Sequence, residues 1–459
     1  MYQNINESPT TSNYDIKHTP KTGGNPEQET LVSIDILLEM EKQEKESFEN
    51  QVKSNAYQSY FNSVKIFLGN VFLTMPNVFT QTGWLGGFIL YTMIAIMNTY
   101  TMNQILWVGA VYSKRKNAHG QTQTITSYTD LATRIHGVWG KVVVIISLYI
   151  VQLSCCIGYL YFIAQNLDNI ICDQTNQQYC DRKTMYKFLL MIPTIPICLI
   201  KTYTYLSYVS MTGIFCAFLG GIIMIGICGS ELNNGTYVHE PVRVFDVENF
   251  FGYIGIAMFI FEGNGIVLNL NHEAKDKKKY PKILTSAVIT VITWYMIMTF
   301  VCYFTYRGLS MEYITSNLKI NGLTIFVYIL FSYNAIASYP VQILCAFEII
   351  EELKFFKQES DSNLIRNVKV YSERILVIVV VTIVAVIVPR FVDFLNITGA
   401  LGSSILGFIL PPLYYFKCYG LKNLTYVQIG WNLFLIIFGT LGALYSIYQS
   451  SYKLAHDKK

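Results

Sequence analysis

Long apolar runs separated by short polar stretches set the pattern of this chain. Ile283–Phe304 and Ile375–Val388 carry no charged residue at all. A membrane barrel would show segments of about ten residues alternating between apolar and polar, and that alternation is absent here. Runs near twenty residues read as spanning helices, because only a helix satisfies its own backbone within lipid. The pattern predicts eleven of them, at about 66–82, 84–112, 142–170, 188–200, 204–229, 247–271, 283–306, 322–350, 375–389, 391–416 and 425–448. The fourth is short and holds Pro193 and Pro196. The fold class is therefore all-α integral membrane, and no cleavable leader is expected.

Composition narrows the function classes. Of 459 residues, 52% are hydrophobic and 14% charged, against about 25% charged in an ordinary soluble domain. Too few charges remain to coat a soluble globule, which excludes a soluble enzyme. A net charge of +4 is too mild to call for nucleic acid or another polyanion. The partner expected by composition is the lipid bilayer.

Charge placement sets the expected orientation. Loops on the side of the N-terminus carry eighteen Lys and Arg, five of them between Lys275 and Lys282, and the opposite loops carry seven. By the positive-inside rule the N-terminus is cytoplasmic. Asn234-Gly235-Thr236 is then a glycosylation acceptor on the lumenal or extracellular side. Cys172 and Cys180 share another loop on that side, where a disulfide can form.

Three stretches are expected along the chain: an acidic, mostly disordered cytoplasmic tail over 1–55, a transmembrane domain over 56–450, and a short lumenal or extracellular tail over 451–459. The first has ten acidic and five basic residues. Leu31, Ile34, Leu37 and Leu38 sit at helical spacing within it, which suggests an amphipathic helix of about 31–50.

Little in the sequence supports an enzyme. His18, His119, His136, His239, His272 and His456 fall in predicted loops or tails, and no Cys/His cluster has metal spacing. Neither a metal nor a cofactor is expected. Glu262 is the one carboxylate placed at mid-depth, where the low dielectric disfavours its charged form. It is a proton carrier or a neutral group bonded to freed backbone, and both readings stand. It lies in Phe261-Glu262-Gly263-Asn264-Gly265, whose two glycines break helical propensity. The first span has a matching break at Gly69-Asn70-Val71-Phe72-Leu73-Thr74-Met75-Pro76, where Pro76 deprives the Phe72 carbonyl of its helical partner. Paired interruptions five spans apart point to the binding site of a secondary transporter.

These residues resemble the amino acid/auxin permease family, and particularly its proton-coupled and vacuolar neutral amino acid transporter branches. Gly69 to Pro76, followed by Gly83-Trp84, is similar to the family's first-span G-x-G-x-L-x-x-P and G-W. Phe261-Glu262-Gly263-Asn264-Gly265-Ile266-Val267-Leu268, continuing through Glu273, Lys275 and Asp276 to Tyr280-Pro281, resembles its sixth-span segment. Gly399-Ala400-Leu401-Gly402 and Pro411-Pro412 also look like the family, and the match covers about residues 60–450. Val71 stands at a family glycine, and Asn62 stands where one branch has a coupling histidine. The resemblance implies a LeuT-like fold with 5+5 inverted repeats, and secondary active transport of amino acids by alternating access.

A zwitterion needs donors for its carboxylate and acceptors for its ammonium. Backbone N–H groups at Gly69, Asn70 and Val71 and carbonyls near Phe259–Phe261 would supply them, with Gly263 and Asn264 in the facing break. Phe72, Phe259 and Phe261 would wall the substrate side chain. The expected substrate is a neutral amino acid in symport with a proton, favoured over sodium, for which Ser332 and Ser338 are the alternative ligands. The expected membrane is vacuolar, lysosomal or plasma. The competing function is a non-transporting amino acid sensor on the same fold.

Overall fold

In the computed structural model, residues 53–115, 124–199, 203–235, 240–351 and 363–456 are described. The expected amphipathic helix of about 31–50 and nearly all of the acidic tail lie outside them, as do Thr236 and the last three residues of the expected C-terminal tail. The compact unit begins at Ser54.

Among the described residues the regular elements are all helical, apart from one isolated bridge between Ser54 and Ala274. In chain order they form α1 (Ala56–Phe67), a single 3-10 turn (Asn70–Thr74), α2 (Met75–Thr82), α3 (Trp84–Lys114), α4 (Tyr128–Gln174) and α5 (Lys183–Cys198). Then come α6 (Tyr203–Asn233), α7 (Val247–Gly252), α8 (Ile254–Ile260), α9 (Val267–Glu273) and α10 (Tyr280–Tyr306). The rest comprises α11 (Gly322–Glu351), α12 (Asn363–Ile387), α13 (Phe391–Thr398), two wide π turns (Gly399–Ser403 and Ile405–Ile409), α14 (Leu410–Tyr419) and α15 (Tyr426–His456). Below, the near face is the end where the chain enters α1, and the far face is the opposite end.

Eight of the described helical stretches are long and apolar enough to cross a membrane. The expectation of eleven also counts three stretches that fall short of that measure. The first and sixth are broken into pieces, and α5 is a 16-residue helix that begins five residues before the apolar run does. α4 runs for 47 residues, about 70 Å at 1.5 Å per residue and more than twice a hydrocarbon core. It is turned at Gly137, whose φ of 65° only glycine adopts at no cost. Tyr128–His136 is thus a separate piece on the near face, so His136 is helical where a loop was expected.

The surface is apolar and the interior holds polar groups, the reverse of a soluble protein. Ile96, Phe215, Ile222 and Ile289 are exposed, whereas Asn98, Gln104, Asn264, Asn334 and Asn432 are buried. Each buried amide has a partner from another span. Gln104 donates to Asn432 at 2.6 Å, tying α3 to α15. Asn396 donates to the Gly252 carbonyl at 2.6 Å and accepts from the Ile256 N–H at 2.8 Å, tying α13 to α7 and α8. The backbones of α8 and α13 meet at two glycines. A Cβ on Gly255 would stand 2.1 Å from the Asn396 carbonyl oxygen, and one on Gly399 would stand 2.1 Å from the Gly255 carbonyl oxygen. Small residues at such crossings let spans approach closely in lipid. On the far face, Cys172 and Cys180 form a disulfide with Cα atoms 4.6 Å apart. Asn234 is exposed in the turn after α6.

Gly255→Ala forces backbone apart at this crossing and is expected to destabilise the bundle by about 1–3 kcal/mol, the usual range for overpacking. Gly430→Ala, where a Cβ meets nothing within 4 Å, is the matched control. Thermal unfolding in detergent, followed by gel filtration, should show an earlier transition for Gly255→Ala alone.

Candidate functional site

The first span breaks because its helix cannot continue to Pro76. α1 starts at an Asn55–Gln58 capping box and stops at Phe67, after which Leu68 and the extended Gly69 turn the chain. The next five residues wind as a 3-10 turn. The Phe72 carbonyl that Pro76 would leave without a donor accepts the Met75 N–H instead. Asn70 is buried and spans the gap to α11. It donates to the Phe331 carbonyl at 2.9 Å and accepts from Asn334 at 2.7 Å.

The sixth span breaks between Ile260 and Val267. Two sets of groups hold this break. From behind, the Asn98 amide of α3 donates to the Phe261 carbonyl and accepts from Asn264 at 2.5 Å, and Thr101 donates to Asn264 at 3.4 Å. From the front, the Glu262 carboxyl accepts the Gly265 N–H at 3.1 Å. An unpaired buried peptide group costs about 1–3 kcal/mol, so this polar shell is what makes an open helix end tolerable inside the bundle.

The two breaks line one cavity of about 290 Å³, near the lower end of the usual range for small-molecule sites, about 300–1,000 Å³. Leu68, Gly69 and Val71 come from the first break, and Phe259, Ile260 and Glu262 from the second. A polar wall faces them: Gln152, Cys155 and Tyr159 of α4, with Ser338 and Gln342 of α11. Tyr159 shares this wall with Ser338 and Gln342. The cavity continues past Asn62 and Lys65 to the exposed Glu273 on the near face. Behind the Val71 lining, Phe72 is buried and stacks on Tyr295 at 4.6 Å.

Among the sequence-predicted residues, Gly69, Val71, Phe259 and Glu262 are on the lining. Asn70, Phe72, Phe261, Gly263 and Asn264 are beside it, not on it. Asn70 and Asn264 turn their amides into the bonds above, Phe72 and Phe261 pack in the core, and Gly263 gives room to Phe67 and Met102, each 3.0 Å from where its Cβ would be. Ser332 and Ser338 do not converge, since Ser332 accepts from Asn166 at 3.2 Å while Ser338 faces the cavity. Asn98 and the polar wall went unnoticed in the sequence. An Asn midway along the apolar Trp84–Lys114 run was the available signal. Gln152 and Tyr159 give none, because both sit on ordinary helices far along the chain. Among the described residues, no three His, Cys, Asp or Glu side chains group to hold a metal. On the near-face loop after α9, the Lys279 ammonium, 3.2 Å away, holds the Asp276 carboxyl below its usual range.

The sequence pattern of the family described as "Transmembrane amino acid transporter protein" matches residues 52–452. "Amino acid transporter AVT3A" of Arabidopsis thaliana is 26% identical over 414 residues, 88% of this chain and 91% of that one. "Vacuolar amino acid transporter 4" of Saccharomyces cerevisiae is 23% identical, over 84% of this chain and 56% of that one. Among solved structures, the inward-facing conformation of Mhp1 superposes with a TM-score of 0.50 at 13% identity, covering 88% of this chain and 92% of that one. A Na+-coupled sialic acid symporter in its outward-open state also scores 0.50, at 12% identity, over 86% of this chain and 90% of that one. At such identities the likeness concerns the fold alone, and the fold is the LeuT-like one.

Asn98→Val keeps the volume close but leaves the Phe261 carbonyl and the Asn264 amide without partners. It is expected to cost about 1–3 kcal/mol per orphaned group and to lower substrate binding through collapse of the break. Thermal unfolding with and without amino acid should show both losses. Wild-type stability and ligand response in this variant would mean that the break holds without α3.

Proposed function

This chain belongs to the transmembrane amino acid transporter protein family, and from that premise we propose that it carries neutral amino acids across a membrane by alternating access, in symport with a proton. The observation that carries this reading is the single cavity built from the interruptions of the first and sixth spans. Backbone N–H groups at the start of a half-helix suit a carboxylate, and carbonyls at the end of the facing one suit an ammonium. Charges on the lining support a neutral cargo. Lys65 and Glu273 sit toward the near-face mouth, and deeper in stands Glu262 with no basic group beside it on the lining. An acidic side chain would find no opposite partner at depth, and the Glu262 carboxyl is already engaged by the Gly265 N–H.

Glu262 is the proton carrier in this proposal. Its carboxyl lines the cavity and also accepts the Gly265 N–H, so protonation alters both the charge seen by the substrate and the bond that holds the break. The two roles expected of this residue meet in one group. We place the near face in the cytoplasm, on the strength of the Lys and Arg bias, the far-face disulfide and the exposed Asn234. The far face is then lumenal or extracellular, and the name of the yeast relative, a vacuolar amino acid transporter, favours the vacuolar membrane. The acidic N-terminal tail is cytoplasmic under this orientation.

Proteoliposome uptake tests the reading. Wild type should accumulate radiolabelled neutral amino acid under an imposed pH gradient and exchange it without one. Glu262→Gln keeps the shape and an oxygen for the Gly265 N–H but cannot titrate. It should retain exchange and lose gradient-driven accumulation. Unchanged accumulation in Glu262→Gln would remove it as carrier. Substrate binding by wild type without exchange would point to a sensor in place of a transporter.

A further inference from the structure

The far face is shut by a loop, and one carboxyl group holds that loop to its seat. Between α10 and α11, residues 310–317 dip over the far-face ends of the bundle. The Ser310 carbonyl accepts from Asn77 of α2 at 2.8 Å, Tyr313 donates to the Gly158 carbonyl of α4 at 3.3 Å, and Ser316 accepts from Asn169 at 3.1 Å. Glu312 links the loop to two further elements. One carboxyl oxygen accepts the Phe391 N–H at the start of α13 at 3.0 Å, and the other accepts the Tyr161 hydroxyl of α4 at 3.2 Å. Rings close over it, with Phe391 stacked on Tyr161 at 4.9 Å and on Tyr313 at 5.2 Å. One side chain thus bridges the loop, α4 and α13 on the far face.

We propose that Glu312 is the latch of the far-face gate: its carboxyl group bridges the 310–317 loop to α4 and α13 when that face is shut, and takes a proton from the solution on that side as it shuts. The inference rests on the transport reading and orientation above. Latching strips water from the carboxyl group, and a desolvated carboxylate is costly unless charge or hydrogen bonds compensate it. The compensation here is incomplete. Arg390 makes its ion pair with the buried Asp393 at 3.0 Å. The Lys187 charge reaches Glu312 and favours its carboxylate in part, but the ammonium itself is directed to the Ala385 carbonyl at 2.7 Å and lies 4.1 Å from the Tyr161 ring centre. Asp393 is a like charge, and the other facing groups, Tyr161, Tyr313 and Tyr253, are neutral phenols. Burial, aided by Asp393, raises the Glu312 carboxyl above its ordinary value, although the Tyr161 and backbone bonds pull the other way.

The sign follows from linkage. Glu312 binds its proton more tightly when the gate is shut and its carboxyl is partly withdrawn from water than when the gate is open and it is fully hydrated. Acid on the far face therefore favours the shut gate, and a neutral solution there favours the open one. In alternating access a shut far face accompanies an open near face, which is where the cavity leads in this structure. Acidity in the lumen would thus push the loaded carrier toward release into the cytoplasm, in addition to whatever Glu262 contributes at the cavity.

The test uses the full-length protein in proteoliposomes with the far face inward, and radiolabelled alanine as the probe. Exchange is measured as the internal pH varies at fixed external pH with the membrane potential clamped. Wild-type exchange should depend on internal pH. Glu312→Gln mimics the protonated latch and should lose that dependence, keeping the rate that wild type shows at the acid end. Tyr161→Phe removes a donor to the ionised carboxylate and should shift the profile toward higher pH, which decides the matter should the Gln variant fail to fold. A wild-type pH profile in both variants overturns the latch. Absence of alanine exchange in wild type at every pH is a separate result, and it overturns the transport reading together with the latch.

Discussion

Every peptide group in a membrane span needs a partner inside the protein, and this molecule places two helix ends where lipid and helix alike withhold one. The rest of the architecture follows from how those ends are satisfied. Pro76 makes the first break unavoidable, and a 3-10 turn takes up the Phe72 carbonyl. The second break has no proline. It is held open by Asn98 from behind and Glu262 from the front. Side chains that would be a liability in hydrocarbon are here the reason an irregular backbone can persist at depth.

Those same requirements place the cavity. Helix ends cannot be packed as closely as continuous helices, so the space between them is hollow and lined by backbone. Close packing is pushed to other contacts, chiefly the crossing of α8 with α13, where Gly255 and Gly399 allow backbone atoms to touch. The wide turns at Gly399–Ser403 and Ile405–Ile409 lie next to that crossing. π turns often occur at functional sites, and here they adjoin α8, whose end lines the cavity.

The two faces are closed to different degrees for reasons that can be named. On the near face, Ser54 and Ala274 pair as a single bridge beside an open mouth. On the far face, aromatic stacking, the 310–317 loop and a half-buried carboxyl seal the bundle. A transporter needs seals that can be undone, and polar links across few groups meet that need better than a large apolar interface would. Charge-bearing links also answer to the solutions they face.

Much of this was legible in the amino-acid order. The apolar runs gave the eight long spans, since a run near twenty apolar residues has one explanation in lipid. Proline and paired glycines at Gly69–Pro76 and Glu262–Gly265 marked the breaks, because backbone chemistry is local. Pattern alone placed Cys172 and Cys180 together, and they are bonded in the structure. It did not show that Asn70 and Asn264 turn away from the cavity, that Phe72 and Phe261 pack behind it, or that α4 bends at Gly137 with His136 on a helix. Nor did it show that Gln152, Tyr159, Ser338 and Gln342 form the opposite wall, or that Glu312 reaches α13. Local sequence fixes which backbone groups lose their partners. Which distant side chain arrives to replace each partner depends on how helices far apart in the chain rotate against one another, and only tertiary packing decides that.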